Sequence, residues 1–158
     1  MRRNFYYLLL LLLLVVTRAG AQNIRYVSKS GAYANDGKSW ATAKINVQDA
    51  INDLVDNGLT GEVWVAAGTY TPTESTEPSG GSTLHRSFKL PAGIKVYGGF
   101  AGTETSKDQR AKTTYENLGW RYTNHTTLSG NLSAKAEFSW NSSKKVFNTS
   151  FYGNSYHV

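Results

Sequence analysis

The sequence predicts an all-β protein of coiled, solenoid-like architecture with one helix at its start, and three patterns carry that prediction. Short stretches alternate apolar and polar residues with a period of two, the signature of strands. Their apolar centres, Val65, Val96, Leu128 and Val158, lie 31, 32 and 30 residues apart. Strands recurring at a nearly fixed period, joined by loops of varied length, are what a β-solenoid gives, whereas a small β-sandwich spaces its strands at roughly 8–12 residues. Finally, a single short amphipathic helix precedes the strands and must lie on something.

The chain opens on an export signal. Arg2 and Arg3 form a basic head, residues 5–16 an apolar run with seven consecutive leucines, and Ala19-Gly20-Ala21 the small residues a signal peptidase requires. Cleavage is expected between Ala21 and Gln22. At about 12 residues the run would reach about 18 Å as a helix, short of a bilayer core of roughly 30 Å. No stable membrane span is therefore expected after the signal is removed. Arg2-Arg3-Asn4-Phe5 leaves twin-arginine export as a minor alternative.

Residues 22–60 hold a short extended segment, Arg25-Tyr26-Val27, a turn-rich loop ending in Asp36-Gly37, and the helix. Asn46 is placed to cap that helix and Asp49 to close a capping box. Val47, Ala50, Ile51, Leu54 and Val55 form its apolar stripe, and Asn57-Gly58 stops it through a left-handed residue. Residues 61–158 carry the strands. Val63 and Val65 point one way and Trp64 the other, and Ile94-Lys95-Val96-Tyr97 repeats the alternation before Gly98-Gly99-Phe100. Shorter pieces follow at Thr127-Leu128, Lys145-Val146-Phe147 and Tyr156-His157-Val158. Between them, residues 71–86 and 102–124 read as polar loops, the second being the most charged stretch.

One domain suits 158 residues. The absence of cysteine excludes a disulfide scaffold, a zinc ribbon, a thiol-redox enzyme and a cysteine-anchored lipoprotein. Of the 17 basic residues, Arg2, Arg3 and Arg18 belong to the leader, which leaves 14 against 11 acidic ones in the mature chain. That excess is too small to argue for nucleic acid.

The motifs Asn35-Asp36-Gly37-Lys38-Ser39-Trp40, Val47-Gln48-Asp49-Ala50-Ile51, Val63-Trp64-Val65-Ala66-Ala67-Gly68-Thr69-Tyr70 and Val96-Tyr97-Gly98-Gly99-Phe100-Ala101-Gly102-Thr103-Glu104 follow one another. Leu128-Ser129-Gly130-Asn131 and Asn154-Ser155-Tyr156-His157-Val158 come after them. In that order they resemble the N-terminal region of secreted bacterial proteins with a right-handed parallel β-helix of the pectin-lyase-like kind, of the adhesin or surface-protein type. The resemblance implies that the helix caps the open end of the solenoid and that Val63, Val65, Ile94 and Val96 stack inside the first rungs. It also implies further rungs, so the chain is expected to be incomplete. That fold carries lyases, hydrolases and adhesins alike, so function must be argued from a site.

Catalytic motifs fare poorly. Gly31 and Gly37 enclose five residues where a phosphate-binding loop needs four, and no helix opens at Lys38. Gly98-Gly99-x-x-Gly102 lacks dinucleotide-binding spacing. His85, His125 and His157 have no partner at metal-ligand spacing, and Gly37-Lys38-Ser39-Trp40-Ala41 only approximates a nucleophile elbow. Asp36, Glu62, Glu104, Asp108, Glu116 and Glu137 are scattered, without the acid pair glycoside cleavage requires. No cofactor or metal is expected. Four Asn-x-Ser/Thr triplets, beginning at Asn124, Asn131, Asn141 and Asn148, follow from composition in a Ser/Thr/Asn-rich segment.

Trp64 and Tyr97 are the candidate site. Both lie on the outward phase of their strands, where neighbouring rungs would form a platform for stacking sugar rings. The competing reading is that residues 71–86 or the helix cover them. The function expected is adhesion or contact with extracellular polysaccharide or a host or cell-surface glycan, without catalysis in this segment. The alternatives are the N-terminal cap of a polysaccharide lyase or glycoside hydrolase with its active site downstream, or a truncated remnant. The product would be exported to the medium, the cell surface or the outer membrane.

Overall fold

Locally, the structure keeps the helix and the first strands where the patterns place them, but the stretches expected as polar loops, 71–86 and 102–124, also carry strands. The computed structural model describes residues 22–75, 85–116, 118–132, 138–141 and 146–149; the export segment with Ala21, and Tyr156-His157-Val158, lie outside the described residues. In chain order the elements are β1 (Ile24–Val27), α1 (Val47–Asp56), β2 (Gly61–Ala66), β3 (Gly68–Tyr70), β4 (Glu74–Ser75), β5 (Arg86–Ser87) and β6 (Ile94–Phe100). A 3-10 turn (Lys107–Gln109) then leads to β7 (Lys112–Tyr115), β8 (Gly119–Tyr122), β9 (Thr126–Leu128), β10 (Phe138–Asn141) and β11 (Val146–Thr149).

The helix spans the predicted residues. Its C-terminus is a full Schellman turn: Gly58, at φ +66°, donates to the Val55 carbonyl and Leu59 to that of Leu54. The N-terminus differs from expectation. Asn46 sits at the N-cap position with extended backbone, but its side chain makes no capping bond; its Nδ2 donates to Asp49 Oδ2 at 3.0 Å. The carboxylate therefore stays in the first turn, where the helix dipole favours it.

Strands β1, β2 and β6 form a parallel sheet in that order, with Val27 opposite Val65 and Val63 opposite Val96. One face carries Val27, Val63, Val65 and Ile94, all buried against Val47, Ala50, Ile51 and Leu54 of α1. Arg25 lies on this face too, and its guanidinium pairs with the helix carboxylate Asp53. Exclusion of this aliphatic surface from water holds the helix down, at about 25 cal/mol per Å² of apolar area removed.

The solenoid does not form among the described residues. They make a small mixed domain of one helix and short sheets, only one of which has three strands. Helix α1 covers a sheet face rather than closing a solenoid's end. The regular spacing fails physically after its first step. Strand β9 does not stack on β6 but pairs with β3, placing Leu128 opposite Tyr70 and leaving it 41% exposed. Between β6 and β9 the chain makes an antiparallel hairpin, β7–β8, and β4–β5 and β10–β11 are further antiparallel pairs. A fixed period counts residues; it does not say which edge receives the next strand.

Gly61 shows how tightly the sheet is joined. A Cβ built there would collide with the backbone oxygen of Asn23 beside β1. Gly61→Ala is expected to lower stability by about 1–3 kcal/mol through forced displacement of β1. A reduced denaturant midpoint at unchanged slope checks it.

Candidate functional site

The second face of the sheet is aromatic. Tyr26, Trp64 and Tyr97 occupy one row across β1, β2 and β6. A register shift then inserts an extra residue into β6 at Gly98-Gly99, so Ala66 faces Phe100. The bulge returns Phe100 to the aromatic side, where its ring stacks on Trp64 at 4.7 Å and 13°. Tyr26 meets Trp64 edge-on at 5.7 Å, and Trp40, from the loop after β1, packs between Tyr26 and Phe100 at 4.7 and 5.6 Å. Trp40 also donates its Nε1–H to the Glu104 carbonyl at 2.8 Å, tying that loop to the one after β6.

Two carboxylates are sealed into this layer. Glu62 accepts from Trp64 Nε1 at 2.7 Å and from Lys107 Nζ at 2.6 Å. Burial alone would raise its pKa; the bonds from Lys107 and Trp64 outweigh it and hold the carboxyl below its ordinary value. Lys107 is raised in turn, chiefly by its bond to Glu62. The Glu104 side chain accepts three backbone amides, from Ala101 at 2.7 Å and from Gly102 and Thr103 at 3.0 Å. There too burial pushes up and the amides prevail, so Glu104 stays ionised below the usual carboxylate range. Both acids are fully engaged in holding loops, which leaves neither placed to handle a substrate proton.

From Lys107 a ladder of alternating cations and rings runs outward. Lys107 lies 4.4 Å from the Tyr97 ring, Arg110 lies 4.2 Å from Tyr122, and Lys112 lies 4.3 Å from Trp120. Trp120 and Tyr122 meet edge-on at 5.3 Å. Arg110 is fixed by donating to the carbonyls of Lys107 and Gly98 at 2.8 and 2.9 Å. Gly99, at φ +92°, lets the Tyr122 ring lie directly on the β6 backbone, where a Cβ would clash with it. Beside these rings opens a trough of about 310 Å³ lined by Tyr97, Gly98, Gly99, Arg110, Tyr122, Asn124 and His125.

The two residues picked from the sequence fare differently. Trp64 and Tyr97 are register partners on one face, as their phase implies, but Trp64 is only 3% exposed. The Tyr26 and Phe100 rings pack on it, and the helix lies against the other face of the sheet. Tyr97 is half-buried and lines the trough. Gln22, the expected first residue after cleavage, is exposed. Trp120 and Tyr122 were missed because they sit in the charged stretch read as loop. Their i, i+2 spacing, which puts both on one strand face, was the available signal.

Among the described residues no group of three His, Asp or Glu is placed to hold a metal ion. No helix among them is long and apolar enough to cross a membrane. No protein-family model matches the chain, and neither the curated proteins nor the solved structures include a significant match.

Proposed function

We propose that the chain is a non-catalytic module of an exported protein that contacts extracellular polysaccharide or a cell-surface glycan, with sugar rings stacking on Trp120 and Tyr122. One observation carries the reading. Trp120 is 55% exposed, yet it is held in place by Lys112 and Tyr122 on a hairpin beside a polar trough. A flat, positioned aromatic face suits the C–H face of a pyranose, while Arg110 and Asn124 in the trough offer partners for its hydroxyls. Tyr97 continues the surface inward. Export rests on the leader, whose removal would give a secreted product beginning at Gln22.

Titration of a panel of neutral and charged polysaccharides against the protein, followed by calorimetry, tests this. Trp120→Ala and Tyr122→Ala are each expected to weaken binding about tenfold, equal to about 1.4 kcal/mol of stacking. The stability of Trp120→Ala should change little, because that side chain is exposed. Wild-type affinity in a folded Trp120→Ala protein would remove the reading.

A further inference from the structure

Resting on the reading above, we infer that the trough selects sugar units bearing an anionic group, a carboxylate or a sulfate ester, which Arg110 receives. The observation behind it is a cation without a counter-ion. Arg110 is half-buried, and the rings of Tyr122, Phe100 and Tyr97 lie 4.2, 5.1 and 5.9 Å from its guanidinium carbon. Its Nε and Nη1 are taken by the carbonyls of Lys107 and Gly98. Rings and carbonyls shield the group but carry no net charge, and among the described residues no carboxylate pairs with it. Two other cations at this sheet differ. Arg25 has Asp53 and Lys107 has Glu62, so their charges are answered within the fold. A partly desolvated charge left alone costs free energy that an incoming anion recovers.

The trough can admit that anion. Among the described residues no acid lines it, and Glu62 and Glu104 are already engaged with Lys107 and with backbone amides. Asp108 and Glu116, the other acids of this charged stretch, are exposed and lie outside the lining. Nη2 of Arg110 has no bond among the described residues, and a guanidinium edge matches the oxygens of a carboxylate or sulfate. Because Nε and Nη1 are already held, the plane is fixed in advance, which lowers the ordering cost of binding. His125, exposed at the rim, brings a ring N–H in either tautomer. Tyr122 touches both Trp120 and Arg110, so the stacking surface and the cation are one ring apart.

Calorimetric titration with alginate, dextran sulfate and neutral dextran tests the inference. At least one acidic polymer is expected to bind about tenfold tighter than dextran, with an advantage that shrinks as salt rises. Which of the two is preferred shows whether carboxylate or sulfate is read. Arg110→Gln should erase the preference. His125→Glu puts a negative charge at the exposed rim and should do the same without disturbing the fold, so the test survives an Arg110→Gln protein that fails to fold. Lys38→Gln removes an exposed charge outside the trough and should change nothing. Equal affinity for dextran and both acidic polymers would overturn the anion site, as would a loss in Lys38→Gln as large as in Arg110→Gln. Trp120→Ala separates this inference from the reading beneath it. Acidic and neutral polymers bound alike, and both weakened by Trp120→Ala, would leave the stacking surface and sink the anion site. A preference lost in Arg110→Gln, with affinity untouched in Trp120→Ala, would do the reverse. No heat of binding with any of the three would overturn the anion site and leave the stacking surface to the wider panel.

Discussion

Trp64→Ala is expected to cost about 3–5 kcal/mol, a large share of the stability of a domain this size. The buried ring packs against Tyr26 and Phe100, neither of which can move in to fill its volume without leaving the sheet. The substitution also deprives buried Glu62 of one of its donors, which adds a desolvation cost to the cavity. Chemical denaturation checks the magnitude. Trp64→Phe separates the two contributions, since it retains most of the ring volume but no N–H. A Trp64→Ala protein as stable as wild type would mean that the aromatic layer is not a packed core.

Glu104→Gln should destabilise the protein at neutral pH by about 1–3 kcal/mol, because a neutral amide is a weaker acceptor for three backbone N–H groups and brings donors of its own. The same carboxyl predicts acid lability. Its folded pKa lies below the unfolded value of about 4.3, as does that of Glu62. Folding is therefore favoured by ionisation, and this stabilisation is complete above about pH 4.3 and lost as pH falls through the lower folded values. Melting temperatures recorded from neutral pH into acid should drop steeply below that point in wild type. In Glu104→Gln the drop should be shallower, starting from a lower plateau.

The span of the helix was legible, though not the bonding at its N-cap, because its signals are local. An apolar stripe from Val47 to Leu54 and a stop at Asn57-Gly58 need no knowledge of the rest of the chain. Strand phase was legible for the same reason, so Trp64 and Tyr97 were correctly placed opposite Val65 and Val96. What covered Trp64 was not legible. Its neighbours Tyr26 and Phe100 come from separate segments, and Phe100 reaches it only through a bulge that an alternating pattern does not contain. Strand partners were hidden likewise, since the choice of β3 over β6 by β9 is made in space. The hairpin with Trp120 escaped notice because two charged, half-alternating strands resemble a polar loop.

The parallel pairings of this fold join residues far apart in the chain, as Ile24 with Glu62 and Gly68 with Thr126, whereas β7 and β8 meet across a tight turn. Closing such long loops is entropically costly before any contact repays it, so the parallel sheet sets a slow, cooperative folding rate. The hairpin belongs to the other kinetic regime, forming locally on a timescale of roughly 1–10 μs. With its strands solvated along most of their length, it can open and reclose while the sheet stays intact. The surface that would meet a ligand is thus free to adjust without drawing on the stability of the two-sided sheet beneath it.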